Sequence, residues 1–499
     1  MSTQLSPSAA CTQAWERVLP RVRGALVFLD AASAESLHWC MGGVEALLRS
    51  GALAVRALDG PAGSPRQPKA VMTVVGQPKG AVLDSLRELV LGSYFQNCLL
   101  LLTGGQEEGL RLEDQLRRWM GEDNSVAEVV HVALGWAPLA PQLLLSPALA
   151  SFFPPLPADL QRLAGRPRTD RKRPATPATE TELPAHLQLR ARSLARALST
   201  FLEELGLREE CFAMGALSRI VAVELAADPQ GKSRRKVAPH RGSLLLIDRS
   251  LDLTGAVSHH GDNLVEKIIS VLPRFPGHTN DVAVNVVELT ALLVGDDSSS
   301  ALAPGCLAQP NDPAAKALWE SMLSMKHKEA VMEVRRHLVE AASRENLPIK
   351  MSMGRVTPEQ LSTYVQLFKN NLKALENHCG LLQLGLATSQ TLKHPEYAKW
   401  DNFLAFERLL LQNLGETDLP KVLRQLLSMV KSHSERKEND YSPEDLLVLL
   451  VYIYSVVGEI PLDKELDAAE EELKKALVRV FCDEPKLSPL LQKITGTIS

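Results

Sequence analysis

Residues 226–233 read Ala-Ala-Asp-Pro-Gln-Gly-Lys-Ser, which fits a relaxed phosphate-loop pattern with alanine in first position. That chemistry needs a strand before the loop and a helix opening at the lysine, so that backbone N–H groups converge on phosphates. Here a helical pattern precedes the match, and Arg234, Arg235, Lys236 and Pro239 behind it do not open a helix. Nucleotide binding is therefore not expected. Asp30 and Asp248 each end a strand-like run, where a phosphatase nucleophile would sit, but neither has a second aspartate two residues on. His259-His260-Gly261-Asp262 offers metal-ligating side chains, yet adjacent histidines leave a turn in different directions and no further ligand pattern supports them. No Gly-x-Ser-x-Gly elbow exists and no dinucleotide fingerprint follows a strand. The expectation is a protein that is not an enzyme, with no catalytic residue, metal ligand or cofactor.

The bulk properties narrow the class further. The 499 residues suffice for about three domains of ~150 residues. An apolar fraction of 45% with 23% charged residues is ordinary for a folded soluble protein. Net charge is -4 and aromatics are 5%, so neither a phosphate-binding field nor base-stacking rings stand out, and nucleic acid is not expected as a partner. The seven cysteines lie far apart with no Cys-x-x-Cys, which fits reduced cytosolic thiols. The N-terminus lacks a basic region followed by an apolar one, so no secretory signal is visible. The strongest apolar run, Leu446 to Val457, is well short of the ~20 residues of a membrane span and reads as a buried helix.

Elements that could position function alternate at first. Strand-like runs at Ala25 to Leu29, Ala70 to Val75, Cys98 to Leu102 and Ala127 to Val132 are separated by helical stretches at Ala34 to Arg49, Ala81 to Leu91 and Leu110 to Met120. That order implies right-handed βαβ units and a mainly parallel sheet, giving an α/β domain one over 1–137. From Pro138 to Pro184 prolines and a basic cluster at Arg166 to Arg173 read as a linker. A second α/β domain over 185–310 follows, with helices at Leu187 to Leu205 and Cys211 to Ala227. Its strand, Leu244 to Ile247, looks built for burial on both faces. Then come a helix from Asp262 to Leu272 and an apolar stretch from Val282 to Val294.

From 311 to 480 the chain reads as helical. Asp312-Pro313 supplies an N-cap and N1 proline for a helix bearing Trp319, Leu323, Val331, Val334, Leu338 and Ala341 on one face and ending near Pro348. Thr357-Pro358-Glu359-Gln360 and Ser442-Pro443-Glu444-Asp445 supply cap, N1 proline and capping-box residue together. Leu361, Val365, Phe368, Leu372, Leu375, Cys379, Leu382 and Leu386 recur at alternating spacings of four and three, a heptad stripe that predicts one helix of ~45 Å. The loop between the two helices, with Pro348, Ile349, Met351, Met353 and Arg355, has little local core to enter, and pliable methionines there suit a partner surface.

Leu244-Leu-Leu-Ile-Asp-Arg-Ser-Leu-Asp through Asn263-Leu-Val-Glu-Lys-Ile-Ile269, Ala317-Leu318-Trp319 through Lys328, the Pro348 loop and the helix after Thr357 resemble the Sec/Munc, or SM, family. The sequence is most similar to its divergent Sec-family-domain-containing branch. The resemblance implies an arch-shaped α/β plus α fold: a parallel α/β domain one and a second α/β domain interrupted by a large helical domain with a long hairpin. It implies a non-enzymatic regulator of vesicle docking, exocytosis and intracellular protein transport that binds syntaxin or other SNARE helices. Such a protein would be monomeric and cytoplasmic, and would reach secretory-pathway membranes through partners without inserting. The hairpin tip carried over by position is Pro348, Ile349, Met351, Met353 and Arg355. A scaffold subunit of a vesicle-tethering complex with the same fold is the alternative; an α/β nucleotide-binding enzyme is a remote one. Family members continue past the position of Ser499 with a late strand of the second domain, so 481–499 is expected to start that return in a C-terminally truncated form, leaving domain two loose.

Overall fold

Unbroken apolar runs need cover on two sides, and the first half of the chain supplies it. The computed structural model describes residues 6–60, 68–76, 78–121, 125–150, 152, 183–257, 263–289, 302–303, 307–350, 354–412, 418–437, 440–458 and 464–483. After helix α1 (Pro7–Val18), the elements β1 (Leu26–Leu29), α2 (Ala31–Met41), α3 (Glu45–Arg49), β2 (Ala54–Ala57), β3 (Lys69–Val75), α4 (Ala81–Leu91), β4 (Asn97–Thr103), α5 (Gln106–Met120) and β5 (Val126–His131) follow in turn. The strands form one five-stranded parallel sheet in the order β2-β1-β3-β4-β5. Trp15, Leu37, Val71 and Leu101 fill the core on one face, and Phe28, Met72, Leu86 and Leu100 fill it on the other. The helical stretch from Ala34 to Arg49 is broken in two, because Gly42 and Gly43 take φ values of 82° and 102° that close α2 and re-aim the chain.

The reading of residues from Pro138 as linker is corrected at its start. β6 (Ala137–Ala140) and β7 (Leu143–Leu145) form an antiparallel pair, and the buried Trp319 indole N–H donates to the Leu139 carbonyl (2.6 Å). Residues 153–182, with the basic cluster, lie outside the described residues. Next come α6 (Ala185–Glu204), β8 (Leu207–Met214), α7 (Ala216–Ala227), α8 (Pro229–Val237) and β9 (His240–Ile247). Cys211 to Met214 belongs to a strand and not to the expected helix: Cys211 and Ala213 face inward, Phe212 and Met214 outward, a period of two. β9 pairs with β8 in parallel. It is not buried on both faces. Leu244 and Leu246 pack on the core under α6 and α7, whereas Leu245 and Ile247 are 61% and 59% exposed.

The helical part contains α9 (Leu253–Val257), α10 (Leu264–Val271), α11 (Pro313–Ser324), α12 (His327–Arg344), α13 (Pro358–Gln366), α14 (Leu372–Asn377), α15 (Cys379–Lys393), α16 (Pro395–Gln412), α17 (Leu419–Met429), α18 (Pro443–Val457) and α19 (Lys464–Cys482). Both expected capping boxes form, at Thr357 with Gln360 and at Ser442 with Asp445. Two expected long helices do not. The helix from Asp312 stops at Ser324 and restarts at His327, because Lys326 takes extended backbone as the cap of α12. The heptad stripe is divided among α13, α14 and α15: Asn371 turns its side chain to accept from the Ala374 N–H, starting a new helix. Local side-chain bonding of this kind competes with helix continuation. Leu361, Val365, Phe368, Leu382 and Leu386 are buried, but Leu372 is 71% exposed.

By contacts the chain forms two units, one of residues 1–251, 273–320 and 368–384, the other of 252–272, 321–367 and 385–499. In the second, Phe403, Leu423, Leu426, Leu449, Ile453 and Leu473 join the core that buries α18. Among the described residues no helix is long and apolar enough to cross a membrane.

Candidate partner-binding surfaces

The two strand-ending aspartates are occupied by their own backbone. Asp30 caps α2, its carboxylate accepting from the Ser33 N–H (3.1 Å) and the Val75 N–H (2.9 Å). Asp248 accepts from the Leu217 N–H (3.1 Å), the Ser218 N–H (2.7 Å) and the Ser218 hydroxyl (2.6 Å) at the start of α7. A helix N-terminus after a parallel strand is where a phosphate group would bind. Here a side-chain carboxylate fills that place, and the chain passes so close that a Cβ on Gly215, at φ 107°, would meet the Asp248 carboxyl at 2.3 Å.

The phosphate-loop match lies at a corner between α7 and α8. Residues 229–237 are helical, which corrects the expectation that no helix opens there. The helix nonetheless starts at Pro229 and follows another helix, and its first-turn Gly231 N–H donates to Asp228 (2.9 Å). Lys232 points to solvent, while Arg234 is buried against Glu209 (2.9 Å). The residues His259, His260 and Asp262 lie outside the described residues. Among the described residues no group of three or more His, Cys, Asp or Glu side chains could hold a metal ion.

Surface chemistry of another kind is present at the carboxyl ends of β1 and β2. A groove of about 870 Å³ opens there, lined by Ala34 of α2, Val44, Leu58 after β2, Val82 of α4, Phe275 and His278. It lies where the strand order reverses, since β1 has β2 on one side and β3 on the other. Its wall is mostly apolar, and Val44 is 48% exposed. This groove was not read from the sequence. The available signal was the Gly42-Gly43 break, which lifts Val44 to the rim.

In the second unit a groove of about 700 Å³ runs beside the hairpin of α12 and α13, lined by Lys267, His327, Val331, Met332, Arg355 and Tyr397. Lys267 is buried, 2.7 Å from Asp401 and over the Tyr397 ring at 4.6 Å from its centroid, so its charge is matched within the floor. Met332 is 63% exposed on the rim. Of the tip residues read from sequence, Pro348 and Arg355 are exposed and Ile349 is half-buried; Met351 and Met353 lie outside the described residues. Arg335 donates to the Gly354 carbonyl (3.4 Å), tying the second strand of the loop back to α12.

No family model matches the chain. It is 54% identical over 509 residues to a Homo sapiens protein named Sec1 family domain-containing protein 2, covering 97% of this chain and 74% of the relative. Among solved structures it is similar to the SM protein Vps45 in complex with the Qa SNARE Tlg2, with a TM-score of 0.59, 12% identity and coverage of 95% of this chain and 76% of that one. It is also similar to Unc18 in the Unc18–syntaxin 1 complex from Monosiga brevicollis, with a TM-score of 0.60, 14% identity and coverage of 94% and 76%.

Proposed function

This chain belongs to the SM (Sec/Munc) family, and on that premise we propose that it binds syntaxin-type SNARE helices in vesicle docking and fusion and catalyses no reaction. The observation that supports the reading is the likeness, over 95% of the chain, to an SM protein solved with a Qa SNARE. The groove beside β1 and β2 has suitable chemistry, since an amphipathic helix lays its apolar side into an apolar trough rimmed by polar groups. On this reading the groove beside β1 and β2 is one contact surface. The hairpin end, with Pro348, Ile349, Met351, Met353 and Arg355, is another. The protein works as a monomer in the cytoplasm and meets secretory-pathway membranes through its partners. Calorimetric titration with the cytosolic parts of a panel of Qa SNAREs tests this. Binding to at least one in the micromolar range is expected. Changing Met351 and Met353 together to Asp should weaken that capture while stability moves within about ±0.5 kcal/mol. Absence of binding across the panel overturns the SNARE reading. Nucleotide binding abolished by Lys232→Ala overturns the non-enzymatic one.

A further inference from the structure

One wall of the groove beside β1 and β2 does not come from the sheet or its crossover helices. Phe275 and His278 belong to a segment more than two hundred residues along the chain, with Pro276 and Gly277 exposed between them. This segment is fastened to α2 by a buried acid. Glu35, fully buried, accepts from the Thr279 N–H (2.7 Å), the Asn280 N–H (2.8 Å) and the Asn280 side-chain amide (3.2 Å). One helical turn on, His38 lies 3.7 Å from the Asp281 carboxylate and edge-on to His278, ring centroids 5.2 Å apart. Asp281 in turn accepts from the Val282 N–H (2.8 Å) and the Leu307 N–H (3.0 Å). The fastening is polar and local to one helix face. Glu35 and His38 sit at i and i+3 on α2, and Ala34, the residue before Glu35, lines the groove itself.

A buried carboxylate with three donors is a strong clasp, because charge-assisted hydrogen bonds in a desolvated site outweigh neutral ones. Without it, two backbone N–H groups of the segment lose their acceptor, and the turn that carries Phe275 and His278, closed on itself by the Phe275 N–H to Asp281 carbonyl bond (3.1 Å) with Gly277 at φ 82°, is no longer held to α2. We infer that Phe275–Asp281 is a strap clasped by Glu35, and that its docking on α2 sets the width of the groove and hence the helix that can enter it. Glu35 is thus a positioning residue for partner binding: it touches the strap and not the partner. The inference rests on the reading of this groove as a SNARE-contacting surface.

The full chain with Ala34→Trp, Glu35→Ala and Glu35→Gln tests both levels at once, using the Qa-SNARE fragment that binds the unmodified protein. Ala34→Trp fills the groove and should weaken binding at least tenfold. Glu35→Ala should raise the amide exchange of 275–281 without raising that of β4, and should weaken binding several-fold through faster dissociation. Glu35→Gln keeps one acceptor oxygen and should recover part of both losses; it also serves if Glu35→Ala does not fold. Weakened binding in Ala34→Trp with unchanged binding in both Glu35 variants overturns the strap alone. Unchanged binding in Ala34→Trp overturns the groove assignment and the strap with it. Unchanged exchange of 275–281 in both Glu35 variants overturns the clasp, whatever the affinity.

Discussion

Two parallel sheets in the first unit start from nearly the same sequence and end differently. β1 reads Leu-Val-Phe-Leu before Asp30, and β9 closes with Leu-Leu-Leu-Ile before Asp248; both aspartates turn back to hold the start of a helix. β1 is enclosed, with none of its four residues more than 4% exposed. On β9, Leu245 and Ile247 stand opposite Phe212 and Met214 of β8, and all four are at least 49% exposed. An unbroken apolar run therefore specifies a strand, but the number of covered faces depends on what packs there, which no local pattern encodes.

The contrast should be largest in the response to truncation. Leu101 of β4 is fully buried, and Leu101→Ala should cost about 2–5 kcal/mol through lost transfer energy and a residual cavity. Ile247→Ala should cost less than about 1 kcal/mol, since most of that side chain already meets water. Denaturant midpoints compare the two. Equal losses would show that the outer face of β9 is covered in solution.

The aspartates sharpen the comparison from the other side, because here the two sheets agree. Asp248→Ala leaves the Leu217 and Ser218 N–H groups and the Ser218 hydroxyl without their acceptor in a buried site and should cost about 1–3 kcal/mol. Asp30→Ala should cost a similar amount by removing the cap of α2 and the acceptor of the Val75 N–H. Thermal melts read both. A neutral Asp248→Ala would mean that water or another group already serves these donors.

These cases mark what the sequence disclosed. Strands β1, β3, β4 and β5 and the capped helices at Thr357 and Ser442 were legible because each carries its own signal: a run that is mostly apolar, interrupted in β5 by Glu128, or a cap with N1 proline and a box residue. β2 and β8 were not, since an exposed edge strand and a half-covered one contain Arg56, Arg208, Glu209 and Glu210 in place of an apolar block. The heptad stripe misled because spacing alone says nothing of Asn371, whose side chain starts a new helix inside it. The groove beside β1 and β2 was hidden for a different reason. Part of its wall arrives from residues 275–278, and contact between such distant segments leaves no periodic trace.

The strap offers a finer comparison, between two groups whose protons oppose each other. Burial pushes the Asp281 carboxyl up to about 7. Its proton is held more tightly docked than free, so its stabilisation of the docked segment is present at low pH and lost as pH rises from the ordinary carboxylate range to about 7. Burial first, and the nearby His38 second, lower His278 to about 4. Its stabilisation is present above the ordinary histidine range and lost as pH falls toward 4. Glu35 of α2 also faces Asp281 and raises it further. Over roughly pH 4–6.5 the two dependences cancel, so docking of 275–281 should change little there. His278→Asn should unmask Asp281, making the segment better protected at pH 5 than at pH 7.5 by amide exchange corrected for intrinsic rates. The opposite slope in that variant would mean that Asp281 stays ionised when docked.

The smallest expected effect returns to the two sheets. Phe212 and Leu245 are directly opposite on the exposed face of β8 and β9, as Val71 and Leu99 are directly opposite inside the five-stranded sheet. Replacing Phe212 by Glu and Leu245 by Lys places opposite charges side by side on a wet surface. Both residues already meet water over about half of their surface or more, which limits what is given up, and a cross-strand ion pair contributes a few tenths of a kcal/mol in return. The net change should stay within about 0.5 kcal/mol per site, with reduced binding of an apolar dye. The same exchange at Val71 and Leu99 buries two charges on a face where both residues are at most 7% exposed, and it should prevent folding. If the β8–β9 pair of substitutions unfolds the chain as well, the exposed apolar face is covered in the working protein, and the difference between the two sheets disappears.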